Sequence, residues 1–149
     1  DFKIVFEMFY LFVFTLLIFF SFLEVIHLSK KTLSNLHIFV GVMFVLIAGL
    51  RYETGVDWRA YQYTFDNMPA LDQAFYTKNL SEVFFSLDLG YALLNSVIKM
   101  LGGGIQTLFF VVSLASTILL IKNLRYYTEY VLTGLLIYYS FFFFVFDLS

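Results

Sequence analysis

Four long apolar runs constrain this chain more than any other feature. Their approximate limits are residues 4–26, 33–50, 105–121 and 130–146. A bilayer core of ~30 Å is crossed by roughly 17–25 helical residues rising ~1.5 Å each, so each run is a candidate span. An isolated span must satisfy its backbone hydrogen bonds internally, and helices do so. The chain therefore reads as an all-α polytopic membrane helix bundle, one membrane domain over residues 1–149, with about four spanning helices and an extracytoplasmic or re-entrant helical insertion at 51–104. Composition agrees: 61% of the residues are hydrophobic, above the roughly 45–50% of soluble domains. The first run is too long for the apolar core of a cleaved signal peptide, with Lys3 its only early base.

Charge placement orients the spans. Lysine and arginine are retained on the cytoplasmic side of short loops. The 27–37 loop carries Lys30 and Lys31, and the 122–129 loop carries Lys122 and Arg125 against Glu129. Both loops are expected in the cytoplasm, which puts 51–104 outside. Ten of the 20 charged residues lie between Arg51 and Lys99, six acidic and four basic. The stretch 82–101 is nearly long enough to cross, but a crossing there would carry Lys122 and Arg125 outside, so it reads as re-entrant or interfacial. Ser113, Ala115, Ser116 and Thr117 give the third run a small-residue face for helix packing. Tyr138 and Tyr139 in the fourth suit a headgroup layer or a protein seam.

The insertion carries the polar chemistry. Thr54 and Asp57 have capping-box spacing, and Trp58, Tyr61, Phe65 and Met68 recur at helical intervals until Pro69. A second helix, about 87–101, places Asp88, Tyr91, Asn95 and Lys99 on one stripe and Leu89, Leu93, Val97 and Met100 on another. A polar stripe in a membrane is costly unless it faces water, a partner or a ligand. Structural roles account for these residues singly: Asp57 as a helix cap, Arg51 as a snorkelling anchor, Trp58 and Tyr61 as interfacial aromatics, Asp88 and Asn95 as capping and bridging groups. Their convergence beside an aromatic surface points to a site.

Other patterns carry less. Gly102, Gly103 and Gly104 lack the strand and Lys-Ser/Thr of a phosphate loop and read as a turn. His27 and His37 have no carboxylate at ligand spacing and read as loop histidines, and no metal site or cofactor is expected. Asn79-Leu80-Ser81 matches a glycosylation acceptor. With no cysteine, there is neither a disulfide framework nor a thiol nucleophile, and the net charge of −2 offers nucleic acid no basic surface.

The stretch Arg51-Tyr52-Glu53-Thr54-Gly55-Val56-Asp57-Trp58-Arg59-Ala60-Tyr61 resembles the Arg-Tyr-x-x-Gly-x-Asp-aromatic-x-x-Tyr signature of the EpsG family, Wzy-type polymerases of exopolysaccharide or O-antigen. Downstream, Asp88-Leu89-Gly90-Tyr91-Ala92-Leu93-Leu94-Asn95 is similar to that family's acid-x-Gly-Tyr-x-x-Leu-Asn segment. Trp58 stands where Tyr is more usual, and Asp88 where Glu is common. The chain, starting at Asp1 and ending at Ser149, resembles the N-terminal part of a longer polymerase, a fragment expected to be inactive alone. The resemblance implies a multi-pass protein of the bacterial cytoplasmic (inner) membrane that joins polyprenyl-pyrophosphate-linked oligosaccharides on its outer face, beside other polysaccharide-export proteins.

Such a transfer needs positive charge at the leaving pyrophosphate and a carboxylate at the acceptor hydroxyl. Arg51 is the first choice for the cation and Arg59 the second; Asp57 is the candidate base, with Asp88 in reserve. Asp57 and Tyr61 share a helix face, and Trp58 offers a stacking plate. Tyr52, Tyr91 and Asn95 complete the expected substrate contacts, with Gly55 and Gly90 permitting close backbone approach. The rival reading is a transporter or flippase segment, and a third is a membrane scaffold.

Overall fold

A computed structural model describes residues 2–26, 28–53, 57–74 and 88–143. The described residues are helical throughout, with no strand: α1 (Phe2–Val25), α2 (Lys30–Gly49), α3 (Trp58–Asn67), α4 (Leu71–Ala74), α5 (Leu89–Met100), α6 (Ile105–Tyr127) and α7 (Val131–Tyr138), which continues as a π-helical turn over Tyr139–Phe143. Helices α1, α2 and α6 are long and apolar enough to cross a membrane, and α7 is a shorter apolar helix. Their outward surface is built of large apolar side chains, among them Phe12, Phe19 and Phe22 on α1, Phe39 on α2 and Leu119 on α6. Such a surface suits acyl chains, not water. The expected all-α polytopic class is therefore the observed one.

The chain divides into two compact units. One comprises 1–44 and 115–149, the other Val45–Leu114.

In the first unit Tyr139 is fully buried. Its hydroxyl donates to the Tyr10 carbonyl at 3.0 Å, and its ring lies against Phe44 with centroids 5.9 Å apart. Tyr139 thus belongs to a protein seam. Gly41 allows close approach of α2 and α6, since a Cβ there would sit 2.8 Å from the Ile121 side chain and 3.6 Å from Thr117. Helix α6 runs on to Tyr127, so Lys122 and Arg125 occupy its last turns and not a loop. The connection to α7 is only 128–130, closed by Thr128 N–H on the Leu124 carbonyl and Tyr130 N–H on the Thr128 hydroxyl.

His37 requires a correction. Helix α2 begins at Lys30, two turns before His37, which is buried in the helix and not in a loop. Its Nε2 lies 3.3 Å from the Glu24 carboxylate, so it does have an acidic partner. That carboxylate also accepts the backbone N–H groups of Leu132 at 3.0 Å and Thr133 at 3.1 Å. Glu24 therefore caps α7 from another helix, satisfying amides that lack an intrahelical partner and placing negative charge at the positive end of the helix dipole. His27 and Asn79-Leu80-Ser81 lie outside the described residues.

In the second unit, Gly49 brings α2 onto α6, where a Cβ would stand 3.0 Å from the Phe110 Cα. One turn away, the Ser113 hydroxyl donates to the Val45 carbonyl at 3.0 Å. The small residue at 113 does what its spacing suggests, while Ala115 and Ser116 are exposed. Helix α5 ends in a Schellman turn. Gly102 has φ +75°, its N–H bonds the Lys99 carbonyl, and the Gly103 N–H bonds that of Ile98. The glycine triplet is thus a helix stop. Twelve residues of α5 reach only ~18 Å, short of a ~30 Å core, so the described helix does not span by itself; 82–87 lie outside the described residues.

Candidate functional site

The aromatic spacing of α3 produces its packing. Trp58, Phe65 and Met68 are buried, and the helix stops before Pro69, whose ring disfavours helical geometry in the preceding residue. Phe65 joins Ile98 of α5 and Leu108 of α6 in a small core, flanked by Tyr91, Leu94 and Ile105. Of the polar stripe of α5, Tyr91, Asn95 and Lys99 turn toward this core and α3, while Asp88 is exposed. Asn95 and Ser96 are fully buried, while Leu89, Leu93 and Met100 are exposed. This inverts the arrangement of a helix in water and suits one whose outer face meets lipid.

Lys99 closes the α3–α5 junction. Its ammonium donates to the carbonyls of Phe65 at 2.9 Å and of Asp66 and Met68 at 2.7 Å each, and it lies 5.4 Å from the Phe65 ring centroid. Those carbonyls lie at the C-terminal end of α3, where intrahelical donors run out; that of Phe65 also accepts from the Met68 N–H at 3.2 Å. Lys99 is thus a tether between helices.

Arg51 lies with its guanidinium carbon 4.7 Å from the centroid of the Phe109 ring, within the range of a cation–π contact. Its backbone carbonyl accepts from Gln106 Nε2 at 3.0 Å, and the same amide donates to the Gly49 carbonyl at 2.9 Å. Gln106 therefore fixes the exit of α2 to the start of α6. Phe109 in turn meets Tyr61 edge-on at 6.0 Å, and Tyr61 meets Tyr91 at 6.0 Å. A continuous series of side chains, Arg51–Phe109–Tyr61–Tyr91, thus joins α6, α3 and α5. Tyr52 packs edge-on against Trp58 at 5.5 Å, so the pair is flanked in sequence by Arg51 and Asp57. The backbone between them turns through Glu53, whose φ of 50° is an uncommon left-handed conformation for a non-glycine residue.

Among the described residues of this unit, four buried polar atoms have no hydrogen-bond partner: Trp58 Nε1, the Tyr91 hydroxyl, Asn95 Oδ1 and Ser96 Oγ. Asn95 spends an amide hydrogen on the Tyr91 carbonyl at 2.7 Å, leaving its oxygen vacant. Burial pushes the Tyr91 phenol above its usual pKa. The nearby Asn95 side chain opposes this rise without reaching hydrogen-bond geometry, and Tyr61 adds to it. The phenol therefore stays protonated at physiological pH and keeps its donor. Each unpartnered buried group costs roughly 1–3 kcal/mol, a cost that a bound polar ligand removes.

Both candidate carboxylates stand at helix starts and are exposed. Asp57 precedes α3 and Asp88 precedes α5, and neither side chain makes a capping hydrogen bond. Capping, the structural role open to each, is not how the side chains are used. Arg59 is exposed on α3 with no hydrogen-bond or ion-pair partner among the described residues. At Gly90, among the described residues and apart from its own helix backbone and chain neighbours, no atom lies within 4 Å of where a Cβ would be. Gly55 and Thr54 lie outside the described residues. Sequence reasoning missed Phe109, Gln106 and Ser96. Their signal was Gln106 and Phe109 spaced one turn apart on the helix that follows the glycine triplet.

These features define a polytopic helical membrane protein whose polar segment gathers a guanidinium, an aromatic series and unsatisfied hydroxyl and amide groups. The chain belongs to the EpsG family, which matches it over residues 34–149. That places it among membrane proteins of polysaccharide biosynthesis. No curated protein and no solved structure matches the chain.

Proposed function

We propose that this chain is the N-terminal part of a glycan polymerase that joins polyprenyl-pyrophosphate-linked repeat units at the outer face of the bacterial cytoplasmic membrane. One observation carries the reading. The Arg51 guanidinium rests on Phe109 in the aromatic series that ends at Tyr91, whose buried hydroxyl, like Asn95 Oδ1, has no partner among the described residues. A cation for a diphosphate, rings for a sugar face and vacant polar atoms for sugar hydroxyls occur in one compact unit.

In this mechanism an acceptor hydroxyl oxygen attacks the anomeric carbon of the donor glycan. The bond from that carbon to the pyrophosphate oxygen breaks, and the electron pair leaves with the polyprenyl pyrophosphate. Arg51 stabilises the negative charge growing on the leaving group, where a fixed cation in a site of low dielectric is most effective. The acceptor proton passes to Asp57, with Asp88 as the second candidate, each exposed and not engaged in capping. Tyr91 and Asn95 orient sugar hydroxyls, and Tyr61, Trp58 and Tyr52 present ring surface. Arg59 is the reserve cation, and the glycines at 55 and 90 leave room for the glycan. The transporter reading calls for ionisable groups at the middle of the spans. Glu24 and Arg125 instead lie near helix ends, and with His37 they knit helices together.

The test is Arg51→Ala in the full-length protein, with polymer resolved as a gel ladder and membrane level followed by immunoblot. The expected result is loss of polymer at unchanged membrane level. Polymer of normal length would overturn the assignment.

A further inference from the structure

A second polar site lies in the unit formed by 1–44 and 115–149. A cavity of about 320 Å³ opens among Lys30, Ser34, His37, Arg125, Thr128 and Glu129. Its position is at helix ends: Lys30 is the first residue of α2, Arg125 lies in the last turn of α6, and Val131 at the start of α7 lines the same space. In a membrane-embedded unit, helix ends meet the headgroup layer.

Two cationic side chains, Lys30 and Arg125, line the cavity. The N-terminal amides of α7 and His37 Nε2 satisfy the Glu24 carboxylate. Arg125 approaches His37 Nδ1 at 3.3 Å, which fits a neutral imidazole that accepts at Nδ1 and donates at Nε2. Glu24 is thereby committed to α7 and the imidazole, and Arg125 has no carboxylate within ion-pair distance among the described residues. One guanidinium contact is spent on the imidazole, and the other donors remain. Ser34 and Thr128 contribute hydroxyls; Thr128 Oγ1 accepts from the Tyr130 N–H and keeps its own hydrogen to donate. Of the charged side chains that line the cavity, Lys30 and Arg125 are cationic and Glu129 is anionic, and the Glu24 carboxylate stands behind the imidazole.

We infer that this cavity binds the phosphate group of a phosphodiester, held by Lys30 and Arg125, with the Glu129 and Glu24 carboxylates disfavouring the double charge of a phosphate monoester. Arg125 supplies the planar donor pair suited to two phosphate oxygens, Lys30 a second cation, and the hydroxyls the remaining bonds. The site is separate from the proposed polymerase chemistry and does not depend on it.

The experiment uses the full-length protein in detergent, with bound lipid counted by native mass spectrometry. The probes are dioleoylphosphatidylglycerol, dioleoylglycerol, which lacks the phosphate, and inorganic phosphate. The expected result is one phosphatidylglycerol bound, no retention of dioleoylglycerol, and competition by millimolar inorganic phosphate. Lys30→Gln and Arg125→Gln should each weaken binding about tenfold, the usual scale for losing a charge-assisted contact. Ser34→Met fills the cavity without changing charge or touching the Glu24–His37–Arg125 contacts, and it should also block binding. Lys122→Gln, off the cavity, should change nothing. Binding of inorganic phosphate without the phospholipid would assign the site to free phosphate. Binding of neither probe, or equal loss in Lys122→Gln and Lys30→Gln, would overturn the inference.

Discussion

Replacing Lys99 by Met tests whether the aromatic helix is held by the contact assigned to it. Methionine keeps most of the unbranched stem and removes the ammonium. The loss comprises three hydrogen bonds, of 2.9, 2.7 and 2.7 Å, to the last carbonyls of α3, and a cation 5.4 Å from the Phe65 ring centroid. A hydrogen bond from a charged donor contributes about 1.5–3 kcal/mol when buried, and a cation at a helix C-terminus about 0.3–1 kcal/mol. The three bonds share one partly exposed ammonium, so they do not add. A loss of about 2 kcal/mol follows, which is roughly a 30-fold shift in the docking equilibrium of α3. Trp58 is the sole tryptophan of these 149 residues, is buried, and is the first residue of α3, so in the 149-residue chain its fluorescence reports that docking directly. In a denaturant titration of the detergent-solubilised protein, Lys99→Met should lower the midpoint of the Trp58 transition, with Lys99→Arg retaining much of the difference. A Lys99→Met midpoint equal to wild type would refute the tether and with it the reason given for the orientation of α3 against α5.

Two further substitutions separate architecture from chemistry. Glu24→Gln replaces one carboxylate oxygen by a donor facing an amide at the start of α7, which should cost about 2 kcal/mol in a detergent unfolding titration followed by circular dichroism; an unchanged midpoint would remove the capping role. Tyr91→Phe deletes a buried hydroxyl that has no partner among the described residues, so the Trp58 transition should hold or rise by up to about 1 kcal/mol while polymer length in the full-length protein falls. A marked loss of stability would mean that the hydroxyl serves the fold.

Local spacing made much of the fold legible. The apolar runs became α1, α2, α6 and α7, and the Trp58, Phe65 and Met68 interval became the buried face of α3, ending ahead of Pro69. Tyr91, Asn95 and Lys99 were visible as one face of α5 and turn inward, while Asp88 is exposed; which partner the face meets was not legible, because a polar stripe in a membrane can face water, a protein or a ligand. Contacts between residues distant in sequence left no local trace. Glu24 reaches amides at 132 and 133, and Arg125 reaches His37, so a histidine that looked solvated near two lysines is a buried link. Phe109 was hidden for the same reason, since an aromatic in an apolar helix gives no sign that a guanidinium rests on it. Motif resemblance pointed to Arg51 and Tyr61, and long-range packing joins them through Phe109.

The central claim is that the segment beginning at Arg51 works at the outer face of the membrane. The chain has no cysteine, so Asp57→Cys and Asp88→Cys each introduce a single thiol in these 149 residues for a membrane-impermeant maleimide. In intact spheroplasts both positions should label without permeabilisation, and added lipid-linked repeat unit should slow the labelling. Labelling that appears only after the membrane is opened would place the carboxylates on the cytoplasmic side and contradict the account.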